Sequence, residues 1–174
     1  MTTATASRSV TIEPLTEAAF GPFGFVVSAG LVAGASANQG TAIRFDRCAD
    51  LVSTRSSAAP NLAVFRSTRK SLPFCVTLLE QHPCSTQTFL PMVCVRFLIV
   101  VAPTLSGGGP DVYGLRAFVC GPGQGVSYRV GVWHHPIIAL DGDADFAMLA
   151  WEDGSSRDCV EHPLEVPVTI VAPR

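Results

Sequence analysis

Leu115-Arg116-Ala117-Phe118-Val119-Cys120, then Gly121-Pro122-Gly123-Gln124-Gly125, then Val126-Ser127-Tyr128-Arg129-Val130-Gly131-Val132 is the stretch whose reading decides the fold. Two runs of strand length flank a short Gly/Pro connector that reads as a loop or turn, with no helix between them. The pattern repeats along the chain. Asn61 to Arg66, Phe74 to Glu80, Val95 to Val101, Pro136 to Leu140, Asp145 to Trp151 and Val166 to Val171 are further runs of strand length. Fifteen Gly and thirteen Pro punctuate them. No ten-residue amphipathic helix separates successive strands, which argues against a parallel α/β sheet and for an all-β sandwich or barrel of antiparallel strands.

Helical character is confined to two short N-terminal segments. Thr16-Glu17-Ala18-Ala19-Phe20 has an N-cap threonine and is stopped by Gly21-Pro22. Phe45 to Val52 is the weaker candidate, with Asp46, Arg47 and Asp50 available to face water. Residues 1–10 read as a flexible polar tail without the apolar core of a secretory signal, and 11–174 as one domain.

Composition narrows the class of partner. Hydrophobic residues make up 48% of the chain and charged residues 15%, with a formal net charge of -2. That balance lacks the basic excess of a nucleic-acid binder and the charge of a disordered chain. The longest apolar run, Phe97 to Ala102, falls far short of the roughly 18 residues that span a bilayer. Six cysteines, at 48, 75, 84, 94, 120 and 159, form no Cys-x-x-Cys pair and sit among apolar neighbours, so they read as reduced packing residues in a cytoplasmic protein. A small uncharged or anionic molecule is the partner left open.

Two separated segments carry the chemistry. In an extended Thr77 to His82, Glu80 and His82 share a face, and Pro83-Cys84-Ser85-Thr86 turns the chain so that Gln87 returns beside them. Val126, Tyr128, Val130, Val132 and His134 share one parity, which projects His134 from an otherwise apolar face. A buried, unpartnered polar group costs roughly 1–3 kcal/mol, so such a histidine needs a metal, a carboxylate or a substrate oxygen. His135, of opposite parity, is a further catalytic candidate. Arg66 and Arg116 are candidate clamps for a substrate carboxylate, and Trp133 a candidate contact that packing equally explains.

Glu80-x-His82-x-x-x-x-Gln87 resembles a degenerate first cupin motif, and Gly131-x-x-His134 the core of the second. More narrowly, Leu79-Glu80-Gln81-His82-Pro83, Thr86-Gln87-Thr88-Phe89-Leu90-Pro91-Met92, Leu115-Arg116-Ala117-Phe118, Gln124-Gly125-Val126 and Trp133-His134-His135-Pro136 resemble, in that order, the ureidoglycolate lyase family. The resemblance runs from Ile12 to Val160. It implies a cupin-like antiparallel β-barrel (a double-stranded β-helix), a homodimer, and cleavage of ureidoglycolate to glyoxylate and urea in allantoin breakdown. It also implies a divalent metal such as nickel, held by His82, Gln87 and His134 with Glu80 as fourth ligand or as base. Glu80 and Gln87 depart from the usual His and Glu of cupins, which keeps metal-free action open, and Cys94 stands where the first motif ends in Gly. Two other readings compete: a catalytically silent module that binds a small carboxylate, and a hydrolase that releases ammonia from the same substrate.

Overall fold

A computed structural model describes residues 8–174. Its strands, in chain order, are β1 (Arg8–Pro14), β2 (Gly24–Val27), β3 (Gly34–Ala37), β4 (Ala42–Phe45), β5 (Ala59–Ser67), β6 (Phe74–Gln81) and β7 (Gln87–Val93). They continue with β8 (Phe97–Ala102), β9 (Arg116–Cys120), β10 (Gly125–Tyr128), β11 (Trp133–His134), β12 (Ile138–Ala139), β13 (Ala144–Glu152) and β14 (Val160–Val171). The first residues of the expected tail lie outside the described range, and β1 already begins at Arg8.

Seven strands form one sheet in the order β11-β6-β14-β1-β9-β8-β12, and the additional pairing of β11 with β8 closes it into a barrel. Closure removes the open edges on which sheets aggregate. The ladders are antiparallel except at β1, which runs parallel to both β14 and β9, so the cupin-like barrel is mixed. Five strands, β2-β10-β7-β13-β5, make a second sheet. A hairpin of β3 and β4 stands apart.

β8 explains how the layers are glued. All six of its residues are buried. Leu98, Val100 and Ala102 point into the barrel interior with Val76, Leu79, Ala117, Trp133, Val168 and Ile170. Phe97, Ile99 and Val101 point the other way, onto Phe89, Val126, Tyr128, Phe146 and Met148 of the second sheet. A strand buried on both faces reads as a continuous apolar run, whereas β13 alternates, with Ala144, Phe146, Met148 and Ala150 inward. Each fully buried phenylalanine contributes on the order of 1.5–3 kcal/mol.

Among the described residues one α-helix forms, α1 (Glu17–Phe20), and Thr16 caps it by accepting from the Ala19 N–H at 3.2 Å. Its Phe20 is fully buried edge-on to Phe118, 6.0 Å between centroids. The second helix candidate, Phe45 to Val52, is irregular: Phe45 ends β4, and Arg47 adopts φ 54°. That left-handed backbone is incompatible with helix propagation. The expected strand Val126 to Val132 also breaks. It ends at Tyr128, turns through Gly131 at φ 74°, and resumes at Trp133. Among the described residues, no helix is long and apolar enough to cross a membrane.

Candidate active site

Two cross-strand pairs face each other at the seam between the sheets. On the barrel, His134 of β11 is the ladder partner of Glu80 of β6. On the second sheet, Gln87 of β7 is the ladder partner of Tyr128 of β10. Side chains alternate along strands, so Leu79 and Trp133 enter the barrel core while their neighbours Glu80 and His134 turn outward to the seam. His134 Nε2 lies 3.1 Å from Gln87 Oε1 and 3.5 Å from Glu80 Oε1. Its ring stacks on Tyr128 at 4.1 Å and 12°. His82, one residue past the end of β6, brings a second imidazole 5.5 Å from the first and inclined by 24°.

The link from Pro83 to Thr86 is a corner rather than a hairpin, because β6 and β7 belong to different sheets. Gly131 explains the spacing of the second motif: its N–H donates to the His82 carbonyl at 2.9 Å, which joins the two motifs directly. Only a residue tolerant of positive φ turns the chain there without strain.

Backbone carbonyls fix the tautomers. His82 Nδ1 donates to the Asp158 carbonyl at 2.6 Å, and His134 Nδ1 donates to the Val132 carbonyl at 2.9 Å. A carbonyl only accepts, so both Nδ1 atoms carry protons and both Nε2 atoms face the seam. His82 Nε2 is buried with no partner among the described residues. His134 Nε2 faces two oxygens. Such a convergence of acceptors is favourable with a positive charge among them, either a proton or a metal ion, or with the Gln87 amide turned to donate. The ligand atoms of Glu80, His82 and His134 lie within 4.8 Å of one another, so this donor set fits a divalent cation.

Electrostatics favour an ionised acid beside a neutral base. Burial pushes the Glu80 carboxyl upward, but the bond to His134 and the attraction of the two neighbouring imidazoles outweigh it and hold the group below its ordinary range. Burial, aided by His134, lowers His82. Burial and Glu80 push the Cys159 thiol up to about 12, so Cys159 is a thiol whose Sγ lies 3.7 Å from Glu80 Oε2, and no nucleophile. Burial also raises Tyr128 well above a normal phenol, and its hydroxyl has no partner among the described residues.

A cavity of about 400 Å3 opens beside the cluster. Glu80, His82 and Gln87 form its polar end, and Phe65, Phe89, Ile137 and Met148 its apolar wall. Arg66 stands at the rim, bidentate to Asp145 at 2.8 and 2.9 Å, with its side chain 77% exposed. Another cavity of about 330 Å3, near Arg8, Tyr113 and His162, has no comparable cluster.

The other sequence candidates lie apart from this cavity. Arg116 is bidentate to Glu13 at 3.0 and 2.6 Å and donates to the Ala19 carbonyl. Trp133 is in the barrel core and donates from Nε1 to the Gly108 carbonyl at 3.2 Å. His135 turns away from the seam, edge-on to Phe74 at 5.2 Å, with Nδ1 on the Pro136 carbonyl. Burial lowers its pKa. Cys94 packs against the core between the sheets. Tyr128 and Asp158 are not among the site candidates of the sequence; Tyr128 is seen there to share the parity of His134, while nothing local marks Asp158.

The model of the family described as ureidoglycolate lyase matches residues 7–171. A ureidoglycolate lyase from Pseudomonas syringae pv. tomato is 38% identical over 158 residues, covering 91% of each chain. One from Burkholderia mallei is 41% identical over 157 residues, covering 90% of each, and one from Pseudomonas fluorescens is 38% identical over 156 residues, covering 89% of this chain and 91% of that one. With the family match extending over nearly all of the chain and relatives of that description at 38% and 41% identity covering about nine-tenths of it, this protein belongs to the ureidoglycolate lyase family.

Proposed function

We propose that this protein cleaves ureidoglycolate to glyoxylate and urea at the seam of Glu80, His82, Gln87 and His134. The observation that carries the reading is the buried, unpartnered Nε2 of His82 beside an ionised carboxylate, at the end of a cavity sized for a small molecule. Ureidoglycolate has a hydroxyl and a ureido nitrogen on one carbon. Loss of the hydroxyl proton forms the carbonyl of glyoxylate as the C–N bond breaks, and the departing nitrogen takes a proton to become urea. The proton leaves one atom and arrives at another, so no water is consumed.

Glu80 is the residue assigned to move that proton, since its carboxylate is ionised at neutral pH and faces the cavity. His82, His134 and Gln87 would hold a divalent cation, with nickel the ion that the family resemblance suggests, and Glu80 stands near enough to be a fourth ligand. Such an ion would polarise the hydroxyl and offset the substrate carboxylate. Arg66 orients that carboxylate with the guanidinium edge left free by Asp145. Phe65, Phe89, Ile137 and Met148 exclude bulk water.

The assembly is proposed to be a cytoplasmic homodimer of purine catabolism. Its support is the outer face of the second sheet, where Leu62, Val64, Leu90 and Met92 are 74%, 64%, 42% and 60% exposed. Light scattering on the protein and on a Leu62→Glu variant tests the dimer. Product identity tests the activity: urea with glyoxylate supports the lyase, and ammonia overturns it.

A further inference from the structure

Arg55 lies in the irregular link between β4 and β5, far from the motifs in sequence, yet its side chain is only 5% exposed. Its Nη1 donates to Asp153 Oδ1 at 2.6 Å and to Ser155 Oγ at 2.9 Å, and its Nη2 donates to Asp158. Nη2 also reaches the Trp151 carbonyl at 3.5 Å. One guanidinium thus gathers both ends of the 153–158 loop. Asp158 tightens the loop further by accepting from the backbone of Asp153 and Gly154, the latter at 2.7 Å.

The backbone around Arg55 grips the other half of the site. Thr54 N–H donates to the Cys84 carbonyl at 2.8 Å, Thr86 N–H donates to the Val52 carbonyl at 3.0 Å, and Ser53 forms a bridge with Ser85. These are the corner residues between His82 and Gln87. Residues 52–55 therefore fasten the corner that carries His82 to the loop whose Asp158 carbonyl accepts from His82 Nδ1.

We propose that Arg55 is a positioning residue for His82: by holding Asp153 and Asp158 it sets the Asp158 carbonyl against Nδ1, which locks the proton there and leaves Nε2 bare toward Glu80 and His134. The geometry is that of a remote partner that fixes an imidazole's tautomer and aim, a role whose loss costs about 10–100-fold in activity or metal affinity. Arginine suits it because a planar fork spans two carboxylates, which a lysine ammonium does not do. The consequence for turnover rests on the lyase reading above; the consequence for the tautomer does not.

The test is nitrogen-15 NMR of the full-length, histidine-labelled, chelator-treated protein, comparing wild type with Arg55→Lys and Asp158→Asn, alongside steady-state kinetics on ureidoglycolate. The expected result is an Nδ1–H tautomer for His82 in wild type, a mixture of tautomers in both variants, and kcat reduced by about 10–100-fold with KM little changed. An unchanged His82 tautomer in the variants overturns the proposal, and so does a changed tautomer with undiminished kcat. If Arg55→Lys does not fold, Asp158→Asn decides, since it keeps the backbone carbonyl while removing the charge held by Arg55 and one of the two side-chain acceptor oxygens. Should wild type release no urea, the lyase reading fails, and the tautomer comparison alone decides whether Arg55 positions His82.

Discussion

The imidazole of His134 lies face to face with the phenol ring of Tyr128, 4.1 Å between centroids and 12° between planes. The stack fixes the plane of the imidazole, and the Nδ1 bond to the Val132 carbonyl fixes its rotation. Together they aim Nε2 at Gln87 and Glu80. The phenol ring rather than its hydroxyl does this. Tyr128→Phe is expected to keep turnover near wild type and to unfold at equal or higher denaturant, because a buried orphan hydroxyl costs about 1–3 kcal/mol. Tyr128→Leu is expected to lower kcat by about tenfold or more through loss of the aim. Denaturant melts and kinetics on the two variants check this, and a large loss of kcat in Tyr128→Phe would assign the hydroxyl a direct role.

Arg66 is expected to act in binding more than in chemistry. Its guanidinium is already paired with Asp145 and stands at the rim of the cavity. Arg66→Ala should raise KM with little change in kcat, which is the signature of lost uniform binding. An equal fall in kcat with unchanged KM would place Arg66 at the reacting atoms instead.

Much of the fold was legible because burial writes itself into local pattern. The unbroken apolar run of β8 marks a strand covered on both faces, and the alternation of β13 marks one covered on a single face. Three features were not legible. The parallel pairings of β1 depend on which distant strands close the barrel, and Phe45 to Val52 has helical composition while Phe45 belongs to β4, Arg47 takes a left-handed backbone and Val52 bonds to Thr86. The break at Gly131 was hidden because the turn preserves the parity that continuous alternation would have produced. Within the site, Glu80, His82 and Gln87 converge through a strand end and a corner close in sequence, and His134 joins them through its ladder with Glu80. Arg116 and Trp133 look equally functional in one dimension, but their polar groups are taken up by Glu13 and the Gly108 carbonyl, pairings that no local pattern marks. Arg55 and Asp158 went unremarked for the same reason.

Acid is expected to destabilise the protein before it reaches ordinary carboxylate pKa values. His82 and His135 have folded-state pKa values depressed below that of a free imidazole, chiefly by burial. The unfolded chain therefore binds more protons than the folded one as pH falls through about 6.5, the ordinary value, and stability declines from there downward. Glu80, also depressed, adds loss of the same sign at lower pH. Thermal melts of chelator-treated protein should show Tm constant between about pH 7 and 8 and falling between about pH 6.5 and 5. A Tm that rises on acidification through that window would contradict neutral, buried histidines.

A divalent cation is expected to bind once per chain. Titration calorimetry of the chelator-treated protein with nickel should give one site, weakened by at least about tenfold in His82→Ala and unaffected in His135→Ala. Equal affinity in wild type and His82→Ala would remove His82 from the ligand set.

The central claim is that the seam of Glu80, His82, Gln87 and His134 breaks the C–N bond of ureidoglycolate. The most direct measurement is the urea, glyoxylate and ammonia released from racemic ureidoglycolate by wild type and by Glu80→Gln, with the spontaneous rate subtracted. The account predicts urea and glyoxylate in equal amounts, no ammonia, and a rate reduced by about 100-fold or more in Glu80→Gln. Ammonia in place of urea, or an undiminished rate in Glu80→Gln, would contradict it.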